Sequence, residues 1–560
     1  MSGPAATLHG GQVLAGALAA EGVDTIFTLT GGHISALYDG CRGTGIRIVD
    51  VRHEQAAAHA ADAYARLTHR PGVAAVTAGP GVTDAITAVA NAHYADSPML
   101  LLGGRNPLAM EGMGALQDAP HVELLRPVTK WAVTALETRR LPELVGDALR
   151  AALAPRSGPV YLDLPMDVLM SHVDPAALVG RPGQRATHPA APDPDAVARA
   201  AALLARAERP VVLVGSGAHW SRASDELDTL ARLAALPVYV NGMARGILPS
   251  DHPNLLGLTR RSALAGTDLV LALGIDFDFR VGFGRPPTLA EDVPVVHVDP
   301  EPGRIARNRP VALGITSDVA RFLSALAEHA GTVAAGAAGA PGRSSAWLEQ
   351  LVAEESVRLA EREAIAASDA VPIHPLRFAR EVARWVDRDT IVIGDGGDIV
   401  AHTAGSVRVD RPGHWMDPGP FGCLGVGAPF AMAARVVHPD RRVLVVHGDG
   451  AFGFNGMEYE SAVRQDLPFV GIVGNDGAWG EMKAFHERAY GAEGMVAQDL
   501  APGIAYERMV EALGGQGERV ERPEDIGPAL DRALEAGVPA LVNVLLDPDV
   551  RRSSAAAYGA

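Results

Sequence analysis

The sequence predicts an α/β protein of three domains, each a mostly parallel sheet flanked by helices. Three observations carry that expectation. Short apolar runs recur along the chain: 72–78, 98–104, 159–165, 210–217, 268–274, 294–299, 390–397, 441–450 and 468–476. Continuous runs of this length suit strands covered on both faces. Ala/Leu-rich helical stretches alternate with them, as parallel sheets require. Finally, the chain has 560 residues, and at roughly 150 residues per domain that length holds three or four domains.

The divisions come next. Residues 181–196 are rich in Pro and polar residues, and 329–345 are rich in Gly and Ala. Both read as linkers. They separate blocks 1–180, 195–330 and 360–550, with 551–560 as a C-terminal tail. Hydrophobic residues make up 48% and charged residues 21%, which excludes wholesale disorder. The net charge of −17 argues against a nucleic-acid binder. Two cysteines exclude a disulfide framework. The N-terminus has no basic n-region and no run of about 18 apolar residues occurs. The expectation is a cytoplasmic enzyme that spans no membrane.

The densest chemistry lies in the third block, in GDGAFGFNGMEYESAVRQDLPFVGIVGNDGAWG from Gly448. Glycines at a strand end let backbone N–H groups approach a phosphate. Asp449, Asn475 and Asp476 offer hard oxygen ligands for Mg²⁺. Taken alone, Gly-Asp-Gly reads more readily as an ordinary Gly-rich strand–turn with an N-capping Asp. In the first block VDVRHEQAAAHAADAYAR (49–66) reads as a strand running into an Ala-rich helix, with Glu54 at the junction. His53 and His59 stand six apart rather than the four of a zincin helix, so zinc is excluded there. Glu54 suits the start of a helix, where the dipole favours a carboxylate. It equally suits a proton-transfer role, for which the alanines after it are expected to supply an apolar pocket.

Together these segments resemble the thiamine-diphosphate-dependent enzymes. The resemblance covers essentially the whole chain and implies pyrimidine-binding, middle and diphosphate-binding domains, in that order. It implies that Asp449, Asp476 (27 positions on) and the carbonyl of Ala478 hold Mg²⁺. Most relatives have Asn where this chain has Asp476, which leaves a share for Asn475 open. Glu54 would meet the aminopyrimidine ring. TAGPGVTDAITAVANAHYADSPML (77–100) resembles the Gly-Pro-Gly turn of the pyrimidine pocket, and so includes Pro80. In FGCLGVGAPFAMAA (421–434), the carbonyl of Gly422 would accept from the cofactor's amino group and Leu424 would hold its bent conformer. Gly397, Asp398, Gly450 and Ala451 would contact the diphosphate. The cofactors implied are thiamine diphosphate and Mg²⁺. The assembly implied is a homodimer or homotetramer, with each active site between subunits.

Within the superfamily the third-block motif resembles 2-hydroxyacyl-CoA lyases and oxalyl-CoA decarboxylases. Segment 27–40 resembles benzaldehyde lyase and segment 114–132 resembles both 2-hydroxyacyl-CoA lyases and benzaldehyde lyase, placing His33 and Gln117 in the active site. The reaction expected is cleavage of a 2-hydroxyacyl-CoA to formyl-CoA and a ketone or aldehyde, with carboligation in reverse. His33 would take the hydroxyl proton and Gln117 would donate to the carbonyl oxygen. Acetolactate synthases, and benzaldehyde lyase-like carboligases, are the alternative. Synthases carry Phe where Leu116 stands. Residues 481–500 read as a lid, with Glu493 as its candidate carboxylate or as part of a solvated face. The middle block offers Gly217, Ala218 and Asp299 for ADP or the CoA nucleotide, or is a Rossmann-like domain that binds nothing. Arg551 and Arg552 would meet phosphates or lie in a free tail.

Overall fold

The protein is described by a computed structural model covering residues 7–551, apart from 181, 184, 187 and 337–341. All nine apolar runs named above are strands. They belong to three parallel sheets, and the fold class is α/β as expected.

The first sheet has six strands, in the spatial order Arg47–Asp50, Thr25–Thr28, Gly72–Val76, Met99–Arg105, Pro159–Pro165, Ala132–Thr134. The third sheet runs Trp415–Met416, Ile391–Asp395, Val443–Gly448, Val470–Asn475, Ala540–Leu545, Gln516–Val520. Numbered by chain order within each domain, both sheets read 2-1-3-4-6-5. The first and third domains therefore share one topology. In each, the order reverses between strands 1 and 3. A crevice opens there at the carboxyl ends of the strands, the usual place for a ligand in such sheets. The middle sheet has five parallel strands in the order 2-1-3-4-5, from Pro210–Val214 to Leu313–Thr316.

The first and third domains share a core. The helix Glu54–Thr68 buries Ala56, Ala57, Ala58, Ala60, Ala61 and Ala63 in one cluster with Phe430 to Ala434 of the helix Gly427–Val437. Alanine at these positions lets two helix backbones approach closely. The alanines, expected to give Glu54 an apolar surrounding, also form the seam between two domains. Arg66 is buried in that seam. It pairs with Asp62 at 2.7 Å, donates to the Asp417 carbonyl at 2.6 Å, and lies 4.9 Å over the Phe430 ring. Such pairing offsets the cost of burying a cation.

The segment 329–345, expected as a linker, is helical at both ends: one helix runs to Gly336 and another starts at Gly342. The second, Gly342–Ala366, packs Trp347 and Leu351 against the middle sheet. Its Glu355 accepts from the backbone of Gly257, Leu258 and Thr259. Arg552 and the rest of the tail lie outside the described residues. No described helix is long and apolar enough to cross a membrane.

Candidate active site

At the reversal point of the third sheet lies a cavity of about 480 Å³. Its walls include Gly397, Asp398, Gly422, Leu424, Asp449, Gly450, Ala451, Asp476 and Ala478. Every residue that the resemblance assigned to Mg²⁺ or to the cofactor from the third block thus falls on one cavity. Asp449 Oδ1 accepts from the Gly450 N–H and Oδ2 from the Gly477 N–H, both at 2.8 Å. This ties the tips of two adjacent strands together. Asp476 Oδ1 accepts from the Ala478 N–H at 3.3 Å. Burial pushes the Asp449 carboxyl up to about 6. Burial and then the Asp449 charge push Asp476 up to about 7. Asn475 turns away from the cavity, donating to the Ile504 carbonyl and to Asn543.

The donor set fits Mg²⁺ and a diphosphate. Two buried carboxylates side by side are unfavourable without a cation, and a divalent ion would hold both ionised. Mg²⁺ is typically bound through one or two carboxylates plus phosphate oxygens rather than by an all-protein cage. Accordingly, among the described residues no group of three or more His, Cys, Asp or Glu side chains forms a metal site.

The loop carrying Gly422 and Leu424 is held by a residue that the motif reading missed. Asp395, at the end of its strand, accepts from the Gly425 and Gly427 N–H groups, each at 2.9 Å. Asn455 donates to the Gly425 carbonyl at 2.6 Å. Gly422 has φ of +70° and open space where a Cβ would stand.

The first domain gathers its own set at the equivalent reversal point. Glu54 is the first residue of its helix and half-buried. Burial, and then the Asp84 charge, raise its carboxyl above the usual range. His33 Nε2 donates to Asn106 Oδ1 at 3.1 Å, which leaves Nδ1 to accept the Thr77 hydroxyl at 3.2 Å. Pro80 is exposed and opens the helix Pro80–Tyr94. Gln117 has φ of +62° and lies against the Gly79 turn, where a Cβ on Gly79 would stand 2.8 Å from that of Gln117. The Gly79 N–H donates to His121 Nε2 at 2.8 Å, so His121 carries its proton on Nδ1, toward Asp163 at 3.1 Å. Asn106 and Asp163 carried no motif signal, and Thr77 and His121 lie in the segments 77–100 and 114–132 without having been singled out. Within one chain, Glu54, His33, Gln117 and Pro80 do not line the third-domain cavity.

Two other expectations meet a different geometry. Gly217 and Ala218 donate their N–H groups to the Gly274 and Gly215 carbonyls, at 2.9 and 3.0 Å. Gly217 is needed for close packing, since a Cβ there would lie 2.7 Å from Gly274 Cα. Asp299 is fully buried and paired with Arg156 at 2.6 Å, which also holds Asp96 and Asp276. These groups are engaged within the protein rather than held out to a nucleotide. Of the expected lid, Glu481 lines the cavity and lies against Gly397. Glu493 is exposed, in a short 3-10 turn, and is not among the lining residues. Arg551 reaches Glu487 at 3.2 Å.

Comparison with known proteins places this geometry. Residues 8–124, 197–326 and 395–544 match the N-terminal TPP binding, central and C-terminal TPP binding domains of thiamine pyrophosphate enzymes. Over 559 residues, 99% of both chains, the sequence is 42% identical to a "Probable acetolactate synthase" of Mycobacterium bovis. The same values hold for "Acetolactate synthase large subunit IlvG" of Mycobacterium tuberculosis. It is 35% identical to "2-hydroxyacyl-CoA lyase 2" of Caenorhabditis elegans, covering 96% of this chain and 89% of the other. With both TPP-binding domains matched and relatives similar along its whole length, the chain belongs to the thiamine pyrophosphate enzyme family.

Proposed function

We propose that the chain is a carboligase of the acetolactate synthase type, joining two 2-oxo acids with release of carbon dioxide. The observation that carries this reading is the 42% identity to acetolactate synthases over 99% of both chains. It replaces the expectation from the motifs, which favoured a 2-hydroxyacyl-CoA lyase. The geometry is in keeping with the change. The lyase reading uses His33 as a proton acceptor, yet both ring nitrogens are engaged by Asn106 and Thr77. It also uses Gly217, Ala218 and Asp299 for the CoA nucleotide or ADP, and their polar groups are satisfied internally.

Bound thiamine diphosphate supplies a carbon nucleophile and an electron sink for the acyl group. Asp449, Asp476 and the Ala478 carbonyl would hold Mg²⁺, with Gly397, Asp398, Gly450 and Ala451 around the diphosphate. Leu424 would press the cofactor from the third domain. Glu54 would hold a proton at the aminopyrimidine ring, a task helped by a carboxyl raised toward neutral pH. Gln117 would orient the substrate's oxygens. Because the two sets of residues lie at different sheets, the reading takes a homodimer as the smallest active unit, one copy supplying each set.

The test is product analysis. The purified chain is given thiamine diphosphate, Mg²⁺ and pyruvate in one arm, and a series of 2-hydroxyacyl-CoA thioesters in the other. Acetolactate and carbon dioxide from pyruvate, in a 1:1 ratio and without CoA, are expected. Formyl-CoA from the thioesters, with no acetolactate from pyruvate, returns the assignment to the lyases.

A further inference from the structure

The helix that begins with Glu54 is entered through Arg52 and His53, both exposed in their side chains. Their peptide groups face the third domain. The Arg52 N–H donates to both oxygens of Glu458, at 3.0 and 3.2 Å. The His53 N–H bonds to the same carboxyl. Glu458 is 1% exposed and opens the helix Glu458–Arg464, nine positions after Asp449. Burial pushes its carboxyl up to about 7. A carboxyl buried this deeply is costly unless strong hydrogen bonds offset its desolvation. Besides a contact with the Ser461 side chain in its own helix, the bonds it has are those to the entry of the Glu54 helix. The contacts around it point the same way. The Arg52 guanidinium pairs with Glu460 at 3.3 Å, and Arg464 pairs with Asp50 at 2.5 Å. Residues 50–53 are thus held against one helix of the third domain.

We propose that Glu458 is a positioning residue for Glu54: by accepting the peptide N–H groups of Arg52 and His53 it sets the direction in which the helix starts, and with it the place of the Glu54 carboxyl. This rests on the reading of Glu54 as the group that meets the aminopyrimidine ring. A carboxylate suits the task because it accepts on both oxygens and donates nothing. Gln at 458 keeps the size but turns an NH₂ donor toward an N–H donor.

The experiment uses the full chain and the variants Glu458→Gln, Glu54→Gln and the double substitution. The first readout needs no cofactor. Backbone amide exchange by mass spectrometry follows the peptide covering Val51–Gln55. Loss of a hydrogen bond to a charged group should speed exchange there by about 10–100-fold, with the strand Val443–Gly448 unchanged. The second is the rate of deuterium exchange at C2 of bound thiamine diphosphate, together with cofactor affinity by titration. Glu458→Gln should slow C2 exchange by about 10–100-fold at unchanged affinity. Added to Glu54→Gln it should cost nothing more, because it acts through Glu54. Where Glu458→Gln does not fold, Glu458→Asp should shift both readouts in the same directions, by less. Unchanged amide exchange at Val51–Gln55, or additive losses in the double variant, would overturn the proposal. If Glu54→Gln slows C2 exchange and Glu458→Gln does not, the proposal falls and the reading of Glu54 stands. If Glu54→Gln leaves C2 exchange as it was, both fall.

Discussion

A carboxylate that accepts two peptide N–H groups two residues apart fixes a turn from both sides. Asp395 does this for the loop that brings Gly422 and Leu424 to the cavity. Asp395→Asn keeps the size but leaves one N–H facing an NH₂ group. Hydrogen bonds to a charged group contribute about 1.5–3 kcal/mol, and roughly 1.4 kcal/mol is tenfold in affinity. Thiamine diphosphate affinity should therefore fall by about 10–100-fold, read by titration of tryptophan fluorescence, with the melting temperature of the cofactor-free protein lowered as well. Sequence showed Asp449 and Asp476 readily, because their spacing at the tips of adjacent strands is set by the two short helices and one strand between them. Asp395, 30 residues before the peptide it holds, and Glu458, 406 from Arg52, act through contacts that no local pattern shows. Gly217 misled for a related reason. A glycine at a strand end serves a phosphate or a neighbouring backbone equally well, and only the position of Gly274 tells which.

At the scale of elements, the seam between Glu54–Thr68 and Gly427–Val437 joins two domains through alanines on one side and a large ring on the other. Phe430 is fully buried, with Arg66 over its face and the His59 ring 6.0 Å away, edge to face. Phe430→Ala removes the ring and leaves Arg66 paired but unpacked. The expected destabilisation is about 3–5 kcal/mol, measured by denaturant titration of the cofactor-free protein. The nine strands legible in sequence are long apolar runs. Short or polar strands such as Trp415–Met416 and Gln516–Val520 were missed, because two or five residues carry little pattern. The Gly/Ala-rich segment 329–345 reads as a linker by composition. Alanine is also the strongest helix former, and packing of Trp347 on the middle sheet decides the outcome for the helix beyond Gly342.

Across the whole molecule, the first and middle domains meet through two stacked imidazoles, His69 and His219, whose ring centres lie 4.5 Å apart. His219 Nε2 donates to the Arg66 carbonyl at 3.0 Å. Burial pushes His219 down to about 3, with His69 and the Arg66 and Arg222 guanidiniums adding to the effect, and pushes His69 down to about 4. Both are neutral in the folded state near neutral pH. Unfolded imidazoles take up protons near pH 6.5, so below that pH the unfolded chain binds more protons and stability falls. This contribution is full above pH 6.5 and is lost as pH drops toward 4. Asp96, pushed up to about 6 by burial, works in the opposite sense. His219→Gln keeps a donor for the Arg66 carbonyl and does not titrate. The fall in melting temperature between pH 7 and 5 should be shallower in the variant than in the native chain; equal slopes would count against the joint as its source. Sequence made the three sheets visible but not that the first and third share a strand order, since topology is set by which strands pair and not by their composition. The cavity of the third sheet carries one more consequence. Seven of its lining positions are glycine: 396, 397, 422, 448, 450, 474 and 480. A wall of leucines drifts in both directions under mutation, to Val or to Phe, and the space beside it grows or shrinks. Here every missense change adds atoms. At Gly450 a single methyl already stands 2.5 Å from the Trp479 ring, and at Gly480 2.6 Å from Asp476. Over generations this part of the chamber can lose volume but not gain it, so room for a bulkier substrate has to come from the walls built of other residues.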